Sequence, residues 1–143
     1  GLSAEALGIM ATLNTLTVEY SKTRQQFGAP ISSFQVLQHR MVDTFMGCEQ
    51  TKSMLYRGLC ESKSVAEGET DAVALFKTVH ALKATVARYG KIIGEEAIQL
   101  HGGIGMTDEL NIGHYVKRLM MINTSYGDGD FHQKAFNHLS YSV

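Results

Sequence analysis

Apolar residues recur along this chain at steps of three and four, the period of a helix with a buried face. Leu2, Ala6, Ile9, Leu13, Leu16 and Tyr20 trace one such stripe and predict a helix over residues 3–26. Leu7, Ala11 and Val18, with Asn14 between them, trace a second. A helix apolar on two sides must pack on two sides, which places it centrally or at a subunit contact. The segment Phe27-Gly28-Ala29-Pro30-Ile31, which holds the only proline, breaks the pattern. A second helix is predicted from Phe34, with Ser32 or Ser33 as its N-cap. Leu37, Met41, Cys48, Leu55 and Leu59 form its inner stripe, Thr44 and Thr51 fill the intervening turns, and it ends near Ser64.

The polar residues 66–71 suit a tip between antiparallel helices. Leu75, Val79, Leu82, Val86, Tyr89, Ile93 and Ala97 then carry a third helix over residues 71–100, which Gly102, Gly103 and Gly105 stop. A fourth is predicted over residues 111–123, with Ile112, Tyr115, Leu119 and Ile122 inward. Tyr126-Gly127-Asp128-Gly129 breaks the chain again, before a short terminal helix with Asp130 as its N-cap. No strand-like alternation of useful length occurs. The expected fold is all-α, an antiparallel up-down four-helix bundle with a short extra C-terminal helix, occupying residues 1–143 as one domain.

Composition removes several functions. The 143 residues are enough for one buried core. Thirteen basic residues against fourteen acidic ones give a net charge of -1, with no electrostatic footprint for nucleic acid. No apolar run approaches the ~18 residues of a membrane span, and the N-terminus lacks the basic segment of a secretory signal, so the expected setting is cytoplasmic. Cys48 and Cys60 fall on one predicted helix, about 18 Å apart at its rise of ~1.5 Å per residue, beyond disulfide reach. The six histidines show no metal-ligand spacing, and no metal is expected. No Glu-x-x-His pair is present, which discounts a di-metal bundle. The pattern alone leaves a ferritin-like, a cytokine-like or a scaffold bundle open.

Two motifs carry a resemblance. Arg24-Gln25-Gln26-Phe27-Gly28-Ala29-Pro30-Ile31, followed by Phe34-Gln35, is similar to the helix end and restart of the acyl-CoA dehydrogenase family. Gln99-Leu100-His101-Gly102-Gly103-Ile104-Gly105 resembles the family's Gln-x-x-Gly-Gly-x-Gly signature, at the family's spacing from the first. The resemblance implies the C-terminal bundle domain of an FAD enzyme, whose N-terminal helical and middle β-domains are absent from this chain. Such an enzyme oxidises an acyl-CoA to a 2,3-enoyl-CoA and passes electrons to an electron-transfer flavoprotein. It also implies a homo-oligomer, commonly a tetramer, or a heteromeric complex with a partner subunit. Arg24 and Gln26 would reach the FAD of a neighbouring subunit, Arg24 by pairing with its pyrophosphate. Phe27, Phe34 and Gln35 would lie beside the same cofactor. Gln99 and the Gly102-Gly103 backbone would approach it from another subunit, glycine allowing the close approach. Taken singly, Arg24 reads as a charge at a helix C-terminus, Gly102-Gly103 as a C-cap pair, Phe27 and Phe34 as core, and His101 as a capping or surface residue.

The chain departs from the family at one point. Most members carry a catalytic glutamate after the fourth helix, and Tyr126 stands in that place. A phenol, with a pKa near ~10, is a poor base at neutral pH, so Tyr126 is expected to line the pocket. Asp128, two positions on, is the candidate catalytic base, with a loop or cap role as its alternative. Glu5 lies beyond the family's other glutamate position and reads as an ordinary helix carboxylate. Residues 99–109 and the Gly127-Asp128-x-Asp130 run are similar to small subunits of pimeloyl-CoA-type dehydrogenases. The missing glutamate leaves a second reading, a non-catalytic assembly subunit of a heteromeric dehydrogenase.

Overall fold

The computed structural model describes residues 1–102 and 111–141. Five α-helices make up most of it: α1 (Leu2–Thr23), α2 (Gln35–Ala66), α3 (Ala72–His101), α4 (Ile112–Thr124) and α5 (Gly129–Tyr141). Between α1 and α2 lie a two-residue antiparallel pair, β1 (Gln25–Gln26) with β2 (Ala29–Pro30), and a 3-10 turn over Ile31–Ser33. The expected bundle is present.

Helix α3 is its axis, packing against each of the other four helices. Arg40 meets Glu96, Gly47 meets Tyr89 and Gly58 meets Thr78, so α2 and α3 run antiparallel. On another side Val116 lies against Gly94 and Leu119 against Gly90. Further along α3, His132 reaches His80. Helices α4 and α5 therefore follow one another down α3, and together they supply the fourth leg. The core is Ala6, Met10 and Leu13 of α1, Val86 and Ile93 of α3, and the Ile112, Val116, Leu119 and Ile122 stripe of α4.

The sequence pattern fails where small polar residues take over the buried line. Leu16 is exposed, while Thr17 and Ser21 are buried at the spacing that continues from Leu13. Ser21 stays satisfied by donating to the Val18 carbonyl at 2.7 Å and so fits a close approach to Met41 of α2. Leu59 and Val79 are exposed too, because Gly58 and Thr78 form the α2–α3 contact there.

Three boundaries also differ. Helix α1 stops at Thr23, before residue 26, because the chain reverses in a hairpin whose loop residues Phe27 and Gly28 both have positive φ, 54° and 78°. That pairing belongs to a two-residue type I′ turn. Neither Ser32 nor Ser33 caps α2: both sit inside the 3-10 turn, Ser33 Oγ donates to the Pro30 carbonyl, and the cap position falls to Phe34. Asp130 lies within the first turn of α5, and Asp128 is the cap, its Oδ1 accepting from Phe131 N–H at 2.8 Å. Cys48 is buried and Cys60 exposed, both as free thiols. Among the described residues no helix is long and apolar enough to cross a membrane.

Glycines decide how closely α3 is approached, and this gives opposite signs to one substitution. A Cβ on Gly47 would stand 2.5 Å from the Tyr89 ring, whereas Gly8 on α1 has nothing within 4 Å. Gly47→Ala should lower stability by about 1–3 kcal/mol despite its gain in helix propensity. Gly8→Ala should raise it by up to about 1 kcal/mol. Urea unfolding of both variants measures the pair, and a stabilising Gly47→Ala would refute the close α2–α3 contact.

Candidate functional site

The two sequence motifs meet at one end of the bundle. The end of α1, the β1–β2 hairpin, the first turns of α2 and the last turn of α3 enclose a cleft of about 570 Å³. Arg24, Gln26, Gln99 and Gly102 all line it. Helix geometry puts them there. Arg24 is the C-cap of α1: its N–H bonds to the Tyr20 carbonyl, and its own carbonyl accepts from Ile31 N–H at 2.8 Å, closing the hairpin onto the helix end. Gly102 caps α3 at φ 61°, and its N–H bonds back to the Gln99 and Ile98 carbonyls.

Phe27 and Phe34 are brought together as well, edge to face with ring centres 6.2 Å apart. The Phe27 ring is 92% exposed, so the type I′ turn displays it on the surface. Gln35 is exposed on the first turn of α2. Gly103, the last of the candidate cofactor contacts, lies outside the described residues.

Two lining residues were missed or misread in the sequence. Arg40 faces the cleft and binds Glu96 through Nε at 2.6 Å, and this hydrogen bond holds its guanidinium pKa above the usual arginine value. Its position three residues after Leu37, beside the inward stripe, was the available signal. His101 is neither a surface residue nor a helix cap. It is buried, its Nδ1 lies 2.8 Å from the Ala97 carbonyl, and its ring stacks on Tyr20 at 4.5 Å. Helical spacing puts Tyr20 and His101 at the matching ends of α1 and α3, but that meeting is visible only once those helices are known to run parallel. Among the described residues the lining thus holds two guanidiniums and no carboxylate. Among the described residues Arg24 pairs with no acid. A free guanidinium, carboxamides and a glycine backbone form a donor set suited to a phosphate-bearing ligand.

Asp128 is elsewhere. It opens on a larger groove, about 1140 Å³, between α2, α3 and the start of α5, walled in part by Phe45, Met46, Arg88 and Phe136. Gly129 lies against Ala87, so along α3 the base candidate and the Gln99 cleft stand about 18 Å apart at ~1.5 Å per residue. The ring of Tyr126 is 87% exposed and its backbone has φ 61°, a conformation rare outside glycine. Glu5 is settled as a structural carboxylate. Arg118 binds both of its oxygens, at 2.6 and 3.0 Å, tying α1 to α4, and those hydrogen bonds lower its pKa. No cluster of three or more metal-ligating side chains occurs among the described residues.

The model of the acyl-CoA dehydrogenase C-terminal domain matches residues 1–134, and the chain belongs to the acyl-CoA dehydrogenase family. It is 36% identical over 117 residues to the acyl-CoA dehydrogenase IpdE2 of Mycolicibacterium smegmatis, covering 82% of this chain and 34% of that protein. A solved structure of PigA with FAD and proline superposes with a TM-score of 0.84 at 29% identity, over 96% of this chain and 34% of its own. The Tcur3481-Tcur3483 steroid ACAD, as a G363A variant, superposes with a TM-score of 0.88 at 26% identity, over 99% and 37%. The chain spans about a third of the length of the curated relatives it matches.

The cap at Asp128 separates its two roles by substitution. Asn caps a helix as well as Asp does, so Asp128→Asn should leave stability within a few tenths of a kcal/mol, about 0.3. Asp128→Ala should cost about 1 kcal/mol by denaturant unfolding. Equal stability in all three proteins would show that the cap is not formed.

Proposed function

We propose that this bundle is the cofactor-holding and subunit-joining domain of an FAD-dependent acyl-CoA dehydrogenase, which converts an acyl-CoA to its 2,3-enoyl form. The observation that carries the reading is the shared cleft of Arg24, Gln26, Gln99 and Gly102, drawn from two motifs distant in sequence. Arg24 is free to pair with a pyrophosphate, Gln26 and Gln99 offer amide donors, and Gly102 lets the ligand approach the main chain. Bound FAD supplies the acceptor for the hydride that leaves the acyl β-carbon. Because the cleft is open at the end of the bundle and Asp128 lies far from it, one copy serves two sites: its own reaction centre and the cofactor of a neighbour. The N-terminal helical and middle β-domains come from the rest of the enzyme, and an electron-transfer flavoprotein takes up the electrons.

The α-proton falls to Asp128 in this reading. Its Oδ1 is occupied by Phe131 N–H, but a carboxylate has capacity beyond that one bond, and among the described residues Oδ2 has no partner. The assembly-only reading starts from Tyr126 in the family's glutamate place. It is the less favoured, because a carboxylate stands two residues away in the same loop.

The full subunit, purified alone and with its partner, tests both statements. Arg24→Met should weaken flavin retention about 10–100-fold, the loss of one charge-assisted hydrogen bond worth about 1.5–3 kcal/mol. Asp128→Asn should keep its flavin yet slow flavin bleaching by acyl-CoA about 100-fold or more. A preparation that never holds flavin overturns the reading. Bleaching that needs the partner and ignores Asp128→Asn transfers the chemistry to that partner.

A further inference from the structure

Residues 125–128 join α4 to α5 and are tied down by buried groups that have no part in the cofactor cleft. Lys83 of α3 is buried, and its Nζ donates to the Ile122 carbonyl at 2.8 Å and to the Ser125 carbonyl at 2.9 Å. It thereby satisfies acceptors that the end of α4 leaves open. One residue on, the Tyr126 carbonyl accepts from Nε2 of His132, also buried, at 3.1 Å. The other nitrogen of His132, Nδ1, lies 2.8 Å from Nδ1 of His80. Gly127, at φ 100°, packs on the Phe131 ring so closely that a Cβ would stand 2.4 Å from it. Asp128 closes the segment as the cap of α5. Two consecutive residues, Tyr126 and Gly127, are thus held at positive φ, and Tyr126 carries that backbone strain with its side chain largely exposed.

We infer that Lys83, His80 and His132 are positioning residues for the dehydrogenation: a clamp, buried at Lys83 and His132 and half-buried at His80, that fixes the 126–128 loop and opens once both imidazoles are protonated. This rests on the proposed function for its purpose, though the clamp itself is a property of the fold. The tautomers follow from the acceptors. A carbonyl only accepts, so Nε2 of His132 carries a proton. In the neutral pair Nδ1 of His132 is then the acceptor, and His80 must donate from its own Nδ1. One further proton is accommodated on the far nitrogen of His80. A second puts N–H groups face to face at 2.8 Å, and the contact must break.

The charged and titratable groups around His132 are His80 and Lys83 of α3 and Asp128 of the loop. Burial lowers the pKa of His132 most. The positive charges of His80 and Lys83 lower it further, against the Tyr126 carbonyl and Asp128, which raise it. A histidine whose pKa is lowered on folding contributes stability that is fully present above its unfolded value of about 6.5, and that is lost as pH falls below it through the folded value.

The experiment is hydrogen–deuterium exchange on the full assembled protein at about pH 8 and about pH 5, either side of the ordinary imidazole pKa of ~6.5. The amides to follow are those of Ser125, Phe131 and His132, which bond to Met121, the Asp128 side chain and the Asp128 carbonyl. After correction for intrinsic rates and against α2 as an internal reference, these amides should lose about tenfold or more of their protection at the lower pH. Bleaching by acyl-CoA should decline in the same window. In His80→Asn an amide stands at the Nδ1 position, donates to neutral His132, and turns over to accept from the protonated ring. That variant should stay protected, and keep bleaching, at both pH values. His80→Leu should be unprotected even at the higher pH. Protection that is independent of pH in the natural protein, or that falls alike in His80→Asn, overturns the clamp. Protection that responds as described while bleaching does not follow overturns its positioning role. A protein without flavin still yields the exchange result and counts only against the proposed function.

Discussion

Close packing along the whole length of α3 is the constraint on which the rest of the molecule depends. Every other helix finds its place on that helix, and three of them, α2, α4 and α5, meet it at a glycine. Gly90 and Gly94 open one face of α3 to Leu119 and Val116 of α4. Gly47 and Gly58 open the facing side of α2 to Tyr89 and Thr78. Interiors of this density leave no slack for an added methyl group where a ring already sits. At Gly47 the spacing is therefore set by a residue that contributes no side chain, and the two candidate sites take their positions from the same helix. At one end the last turn of α3 carries Gln99 and Gly102 to the hairpin. Toward the other, Lys83 and His80 of the same helix reach across to the α4–α5 loop.

The bundle was legible in the sequence because burial in a helix is periodic. The stripe of α4 appeared as read, apart from Val116, which the pattern passed over. The reading lost accuracy where buried positions were not apolar. Thr17, Ser21, Gly58 and Thr78 are invisible to a hydrophobic pattern, yet they are buried, while Leu16, Leu59 and Val79 fitted the period and lie exposed. Caps were misplaced by small amounts for local reasons: the 3-10 turn absorbed Ser32 and Ser33, and α5 began early enough to make Asp128 its cap instead of Asp130.

Of the site, the parts written as contiguous motifs were readable and the parts assembled across helices were not. Arg24, Gln26, Gln99 and Gly102 each sit in a short signature and converge on one cleft. Arg40 and His101 join them only because α1, α2 and α3 end together. The Lys83–His80–His132 set has no signature at all, since its members come from two helices and bond to backbone carbonyls or to one another. A buried lysine in an otherwise apolar stripe was the one hint, and composition gives no means to tell it from a solvated one.

Phe27 shows the difference between what the fold needs and what the chain carries. A type I′ turn favours asparagine or glycine at that position, and a bulky L-residue held at φ 54° costs about 1 kcal/mol of backbone strain, against which stands its edge-to-face contact with Phe34. Asparagine there would make a more stable isolated domain, and a better starting point for producing the bundle by itself. The same exchange would remove an exposed apolar residue next in sequence to Gln26 of the cleft, so a gain in stability would come with a change of the surface beside the candidate site.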